Sequence, residues 1–253
     1  MLLTVDLGNT SIKLGLFDEG EEIFFGIYPS EQNDYRALVL SMLFKKGLRE
    51  EVITDAIISS VVPHLYKRVL EAVRSFVKPE HIIDINPFDD YGIRFDTPNN
   101  QDIGDDLVVM SAYAYHLFHR ELIVVSLGTA SVINHISEDG VFRHCIIAPG
   151  FHKLADTLWG NAALLPKFDP EMKDSFLANT TEGAMNVGIY KGYVGMLEYL
   201  INGMKDELGI DPYIVACGGL GKEVEPFTDI FDYYEADFVT KGLAYIYERN
   251  YND

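Results

Sequence analysis

The stretch Leu3-Thr4-Val5-Asp6-Leu7-Gly8-Asn9-Thr10-Ser11 constrains this chain more than any other. An apolar run ends on a carboxylate, and the small, hydroxylated residues that follow turn the backbone sharply while offering N–H and O–H donors. Ile12-Lys13-Leu14-Gly15-Leu16-Phe17 alternates as a returning strand should, so a hairpin is predicted with Gly8 and Asn9 in its turn. Such a strand-turn-strand can hold phosphate, and it differs from the strand-loop-helix of a Walker loop.

The element occurs twice. Ile123-Val124-Val125-Ser126-Leu127-Gly128-Thr129-Ala130-Ser131 repeats the apolar run, the Leu-Gly pair and the serine, at an offset of 120 (128 less 8). The same offset pairs Asp18-Glu19-Gly20 with Glu138-Asp139-Gly140. Two matched hairpins at one offset imply two related halves, the alternative being chance similarity between apolar strands.

Between the hairpins the pattern reads strand 22–28, helix 34–46, strand 56–62, helix 65–77 and strand 82–85. Ser59 and Ser60 either end a core strand or admit a ligand. Residues 86–104 are rich in Asp, Asn and Pro and read as an irregular loop, which leads into a helix opening on Asp105 and Asp106. Acids in a first helical turn suit the macrodipole, so these two have a bland role beside any chemical one. The second half continues with strand 141–148, helices, strand 213–216, Gly218-Gly219 and a last helix from about Phe238. Pro149-Gly150 and Gly218-Gly219 punctuate strand ends, where ligands of open α/β sheets lie. Gly188, Gly192 and Gly195 share a helix face and would let another backbone approach, within the chain or across a subunit interface.

A length of 253 residues suffices for two domains, read here as 1–115 and 116–253. A net charge of −19 repels nucleic acid and anionic membrane, so neither is expected as a partner. Cys145 and Cys217 have no metal-ligand spacing and read as buried free thiols in a reducing compartment. The opening Met-Leu-Leu-Thr-Val-Asp has neither a basic region nor a cleavage site, and no apolar run reaches bilayer length, so a cytoplasmic location is expected.

Taken together, these motifs resemble the type III pantothenate kinase family of the acetate-kinase, sugar-kinase, actin and Hsp70 superfamily. Asp6-Leu7-Gly8-Asn9-Thr10 fits its Asp-x-Gly-Asn-Thr loop, Gly104-Asp105-Asp106 its Gly-x-Asp-Arg, Leu127-Gly128-Thr129-Ala130 its x-Gly-Thr-Ala and Ile147-Ala148-Pro149-Gly150 its Ile-x-Pro-Gly. The resemblance implies an α/β fold of two tandem ribonuclease-H-like domains with a nucleotide cleft between them, the actin-like ATPase fold. It implies phosphorylation of pantothenate to 4′-phosphopantothenate by ATP, the first step of coenzyme A biosynthesis. ATP would be bound by Asp6, Leu7, Gly8, Asn9, Thr10, Ser11, Ile12, Lys13, Gly128 and Thr129. Pantothenate would be bound by Phe95, Gly104, Asp105, Asp106, Leu107 and Thr181, with Asp106 as the catalytic base. Mg²⁺ would sit at Asp6, through water, and a monovalent cation, K⁺ or NH₄⁺, near Ser126. A homodimer is implied as well.

The chain departs from the family pattern at several of these points. Leu107 stands for an arginine, Phe95 for a tyrosine, Ser126 and Asn134 for aspartates, and His144-Cys145 for a Gly-Gly pair. These departures support an alternative, a non-catalytic relative that binds nucleotide or acts as a regulatory or interaction protein. An actin-like or Hsp70-like partner-binding ATPase fits less well, because the chain is too short for their inserted subdomains.

Overall fold

The computed structural model of the chain describes residues 1–98, 103–161, 165, 166, 168, 170, 171 and 175–251. Residues 99–102 of the Asp/Asn-rich loop predicted over 86–104 lie outside the described residues. The chain divides into two compact units, Met1–Leu117 with Asp237–Asp253, and Phe118–Ala236.

In chain order the first unit holds β1 (Leu2–Leu7), β2 (Ser11–Asp18), β3 (Glu21–Pro29), α1 (Tyr35–Lys45), β4 (Asp55–Ser60), α2 (Pro63–Val73), β5 (Ile82–Asp84), β6 (Arg94–Phe95) and α3 (Asp105–Phe118). Its main sheet has the order β3-β2-β1-β4-β5, with β1 antiparallel to β2 and parallel to β4. Every residue of β1 is buried, as a central strand covered on both faces requires, and this is why its sequence is a continuous apolar run rather than an alternation. Leu3, Val5 and Leu7 form one core with Leu14, Leu16, Met42 and Val69. Asp34 caps the first helix, its side chain accepting a hydrogen bond from the Ala37 amide at 3.0 Å.

The second unit holds β7 (Leu122–Leu127), β8 (Ala130–Ile136), β9 (Val141–Pro149), α4 (Phe151–Asn161), α5 (Thr181–Leu208), β10 (Tyr213–Cys217), α6 (Gly221–Val224) and β11 (Tyr233–Glu235). Here β9-β8-β7-β10-β11 stand in the order of β3-β2-β1-β4-β5, with the same antiparallel and parallel pairings. The expected duplication is therefore present in topology.

The constant offset of 120 hides two compensating changes. In the first hairpin Leu7 pairs with Ile12 and leaves four turn residues, whereas Leu127 pairs with Ser131 and leaves three. The next turn reverses the difference. Asp18 pairs with Glu21 across Glu19 and Gly20, both at positive φ, while Ser137 and Val141 bracket three residues ending on the left-handed Gly140. A two-residue turn of that kind matches the strand twist, and the three-residue one needs a left-handed closing residue.

The last helix, α7 (Phe238–Asn250), groups with the first unit, whereas the sequence reading carried the second domain through to residue 253. It packs on β1, β2 and β4, and Gly15 lets it close in, since a Cβ there would lie 3.2 Å from Thr240 Cβ. Apolar periodicity marks that a helix is amphipathic and says nothing about which sheet it covers. Among the described residues, no helix is long and apolar enough to cross a membrane.

Candidate functional site

Sheet register brings the candidate residues of the first unit together. Asp6 pairs with Lys13 on β2 and with Ser59 on β4, so three side chains of one sheet face meet at the end of the central strand. Asp6 is 2% exposed, with Lys13 Nζ 2.6 Å from Oδ2 and Ser59 Oγ 3.4 Å from Oδ1. Beyond it the chain turns through Gly8, whose amide donates to the Ser11 carbonyl at 3.0 Å, and exposes Asn9 and Thr10 at the tip. Leu7 and Ile12 bury their side chains in the core, which leaves only their backbone for a ligand.

The start of α3 lies in the same unit. Asp105 Oδ2 accepts from the Ser60 amide at 3.3 Å, so the two serines ending β4 serve two different carboxylates. Burial raises the Asp105 carboxyl above its ordinary value, the Ser60 amide opposes this, and the charges of Asp84 and Asp6 add to it. Burial and then the Asp6 charge push the Asp106 carboxyl up to about 6, against Lys13 and the Leu107 amide. A carboxyl held there is poised to exchange protons near neutrality.

Gly104 leaves room beside Asp106: a Cβ at 104 would lie 2.7 Å from Asp106 Oδ1 and 3.3 Å from Val61 Cγ1, so either side chain would have to shift. Its carbonyl accepts the Leu107 and Val108 amides at 2.9 and 3.2 Å and starts the helix. Leu107 is half-buried in that first turn, and Phe95 is half-buried on β6.

The second unit carries the other loop. The Gly128 amide donates to the Ala130 carbonyl at 3.1 Å, and the Gly150 amide to the Thr129 carbonyl at 3.2 Å. A Cβ at Gly150 would run into the carbonyl oxygens of Gly128 and Thr129, and one at Gly218, at φ +100°, would lie 2.5 Å from the Leu127 carbonyl oxygen. The glycines read as punctuation from sequence are thus the floor on which residues 127–129 rest. Ser131 Oγ lies 2.8 Å from Tyr193 Oη, tying β8 to α5. Ser126 is half-buried between Val132 and Cys217 on the neighbouring strands. Thr181 is the exposed first residue of α5, whose cap is Thr180.

Asn134 is fully buried, and neither atom of its side-chain amide has a hydrogen-bond partner among the described residues. The free cysteines differ from expectation: Cys217 is buried, but Cys145 is exposed. Cys145 and Ile146 alternate on β9, and it is Ile146 that faces the core. Among the described residues, no three His, Cys, Asp or Glu side chains gather to hold a metal ion. Ser30, which sequence reasoning passed over, also reaches the first loop through a hydrogen bond to Gly8. No motif marks it, because its role depends on the pairing of β3 with β2.

A family model described as type III pantothenate kinase matches residues 2–203. A type III pantothenate kinase from Agathobacter rectalis is 34% identical over 255 residues, covering 98% of this chain and 97% of the relative. Among solved structures, a Campylobacter jejuni protein assigned to the Baf family of transcriptional activators superposes with a TM-score of 0.61 at 18% identity, covering 99% of this chain and 100% of that one. A ROK family glucokinase from Streptomyces griseus, solved with glucose and AMPPNP, gives 0.51 at 12% identity over 99% of this chain and 100% of that one. These likenesses establish the fold as that of the actin-like ATPases and sugar kinases.

Proposed function

Since this chain belongs to the type III pantothenate kinase family, we infer that it phosphorylates pantothenate with ATP, producing 4′-phosphopantothenate and ADP in the first step of coenzyme A biosynthesis. The observation that carries the catalytic assignment is Asp106, a carboxyl pushed up to about 6 in the same unit as the Asp6 hairpin. Asp106 takes the proton from the primary hydroxyl of pantothenate as that oxygen attacks the γ-phosphorus. The bond from phosphorus to the β,γ-bridging oxygen breaks, and ADP leaves with the electron pair.

The donors of residues 8–11 hold phosphate oxygens, as do Gly128 and Thr129 on the equivalent loop. Lys13 adds the positive charge nearest to Asp6. Asp105 positions the acceptor through the turn that Gly104 and Leu107 share with it, and Phe95 adds an acceptor contact from the same unit; for Thr181, the exposed first residue of α5, an acceptor contact rests on the family resemblance alone.

Magnesium fits a single carboxylate here: Asp6 stands buried at the end of the central strand, and magnesium is commonly held by one or two carboxylates with water and phosphate oxygens completing its shell. Asp6 would hold it, and when bound it draws charge from the transferring group. Ser126 supplies a neutral hydroxyl where the resemblance leads one to expect an aspartate for a monovalent cation, and no step runs through such an ion.

We further propose a cytoplasmic homodimer. The bare face of α5 supports it, for a Cβ at Gly188, Gly192 or Gly195 would meet no atom of the described residues within 4 Å. A coupled assay with pantothenate, ATP and Mg²⁺ tests the activity. Turnover supports the kinase reading, while nucleotide binding with no turnover favours the non-catalytic reading carried by Leu107, Phe95 and Ser126.

A further inference from the structure

Ser30 lies just past the end of β3, 2% exposed, and reaches the first loop twice. Its hydroxyl donates to the Gly8 carbonyl at 2.5 Å, and its amide to the Thr10 carbonyl at 3.0 Å. The third carbonyl of the turn, that of Ser11, accepts the Gly8 amide. Three of the turn's oxygens, each of which would repel a phosphate, are therefore engaged within the chain.

Peptide planarity carries the argument further. The peptides of this turn, like all those among the described residues, are trans, so in each the N–H points opposite to its C=O. With the Gly8 and Thr10 carbonyls drawn toward Ser30, the N–H groups of Asn9 and Ser11 point away from it. Two peptide dipoles are thereby oriented with their positive ends on the side of the turn opposite to the brace.

Ser30 is itself held. Tyr35 Oη donates to the Ser30 carbonyl at 2.6 Å, and the Arg68 guanidinium lies 5.3 Å from the centre of the Tyr35 ring. Arg68 also donates to the carbonyls of Gln32 at 2.5 Å and Asn33 at 3.4 Å, which ties the connection between β3 and α1 to α2. A chain of contacts thus runs from α2 through Tyr35 and Ser30 to the phosphate-facing turn.

We propose that Ser30 is a positioning residue for nucleotide, acting through the backbone of residues 8–11 and braced by Tyr35. The proposal rests on the nucleotide role assigned above to this loop. It predicts an effect on nucleotide affinity that exceeds any effect on the acceptor, because the brace orients donors to phosphate and leaves the acceptor-side carboxylates untouched.

Calorimetric titration with Mg·ADP and steady-state kinetics on wild type, Ser30→Ala, Ser30→Thr and Tyr35→Phe test it. For Ser30→Ala, which leaves the Gly8 carbonyl without its partner, Kd for Mg·ADP and KM for ATP should rise roughly 10-fold, with KM for pantothenate unchanged. Ser30→Thr keeps a hydroxyl and should restore most of the affinity. Tyr35→Phe should weaken ADP by a smaller factor in the same direction, and it gives the answer if Ser30→Ala does not fold. A folded Ser30→Ala of lowered melting temperature but unchanged ADP affinity overturns the proposal, as does an unchanged affinity in Tyr35→Phe should Ser30→Ala not fold. The two readings fail separately: a wild type that binds ADP without phosphorylating pantothenate defeats the kinase assignment and leaves the Ser30 comparison readable.

Discussion

Lys13 Nζ sits 2.6 Å from Asp6 Oδ2, across the first hairpin and at its closed end, so the carboxylate most deeply buried in the candidate site carries its counter-ion on the neighbouring strand. The pair is 17% and 3% exposed on its two side chains, and water screens it little. It is the fixed point from which the other charges of the site can be reasoned.

Removing the ammonium leaves a buried carboxylate without its partner. Lys13→Met is expected to lower stability by about 3 kcal/mol, read from urea unfolding at pH 7. Weaker Mg·ADP binding should accompany it. A variant as stable as wild type would show that Asp6 needs no cation.

Asp106→Asn removes the proposed base while keeping the shape of the side chain. We expect kcat to fall by about 10²- to 10⁴-fold with ADP affinity nearly intact. The same variant should be more stable than wild type at pH 7, by up to about 3 kcal/mol, because it no longer charges a carboxyl that the fold keeps protonated up to about 6. Equal kcat would transfer the role elsewhere, with Asp105 the nearest alternative.

The pH dependence follows with a definite sign. Asp106 is raised from 3.8 to about 6, so the folded protein holds its proton more tightly than the unfolded chain does. Its cost to stability is absent below about pH 4, grows through the window up to about pH 6 and is complete above it. The stability difference between Asp106→Asn and wild type should open over that window. As a base it must be charged, so kcat/KM for pantothenate should climb with pH and level off above about 6. A profile flat from pH 5 to 8 counts against the assignment.

Gly150→Ala puts a methyl group against backbone oxygens of residues 128 and 129, which cannot rotate aside. A loss of about 3 kcal/mol is expected in thermal unfolding, together with weaker nucleotide binding. Full retention of both would mean that this loop has room to shift.

A Cβ at residue 192 meets no described atom within 4 Å and the position is exposed, so Gly192→Leu should leave the fold intact, while a dimer that uses this face of α5 should dissociate. Sedimentation of wild type and variant decides it: a dimer unaffected by the substitution removes the face from the interface.

Much of the architecture was legible in the sequence because it is written locally. Hairpin turns need particular residues at adjacent positions, a central strand needs an unbroken apolar run, and the cap at Asp34 lies within one turn of the amide it serves. The duplicated hairpins and the start of α3 came from such signals, whereas Asp106 as base came from the family resemblance, its local reading being that of an acid in a first helical turn. What the tertiary structure alone decided depends on residues far apart in the chain. Asp6 meets Lys13 and Ser59 through strand register, Ser30 reaches Gly8 across β2 and β3, and α7 closes on the sheet that opens the chain rather than on the one nearest it in sequence. Cys145 faces outward because a strand alternates its sides, and only packing selects which side is the core. Local rules specify the elements, but register and close approach are settled by the free energy of the packed whole, where a one-residue slip exchanges core for surface.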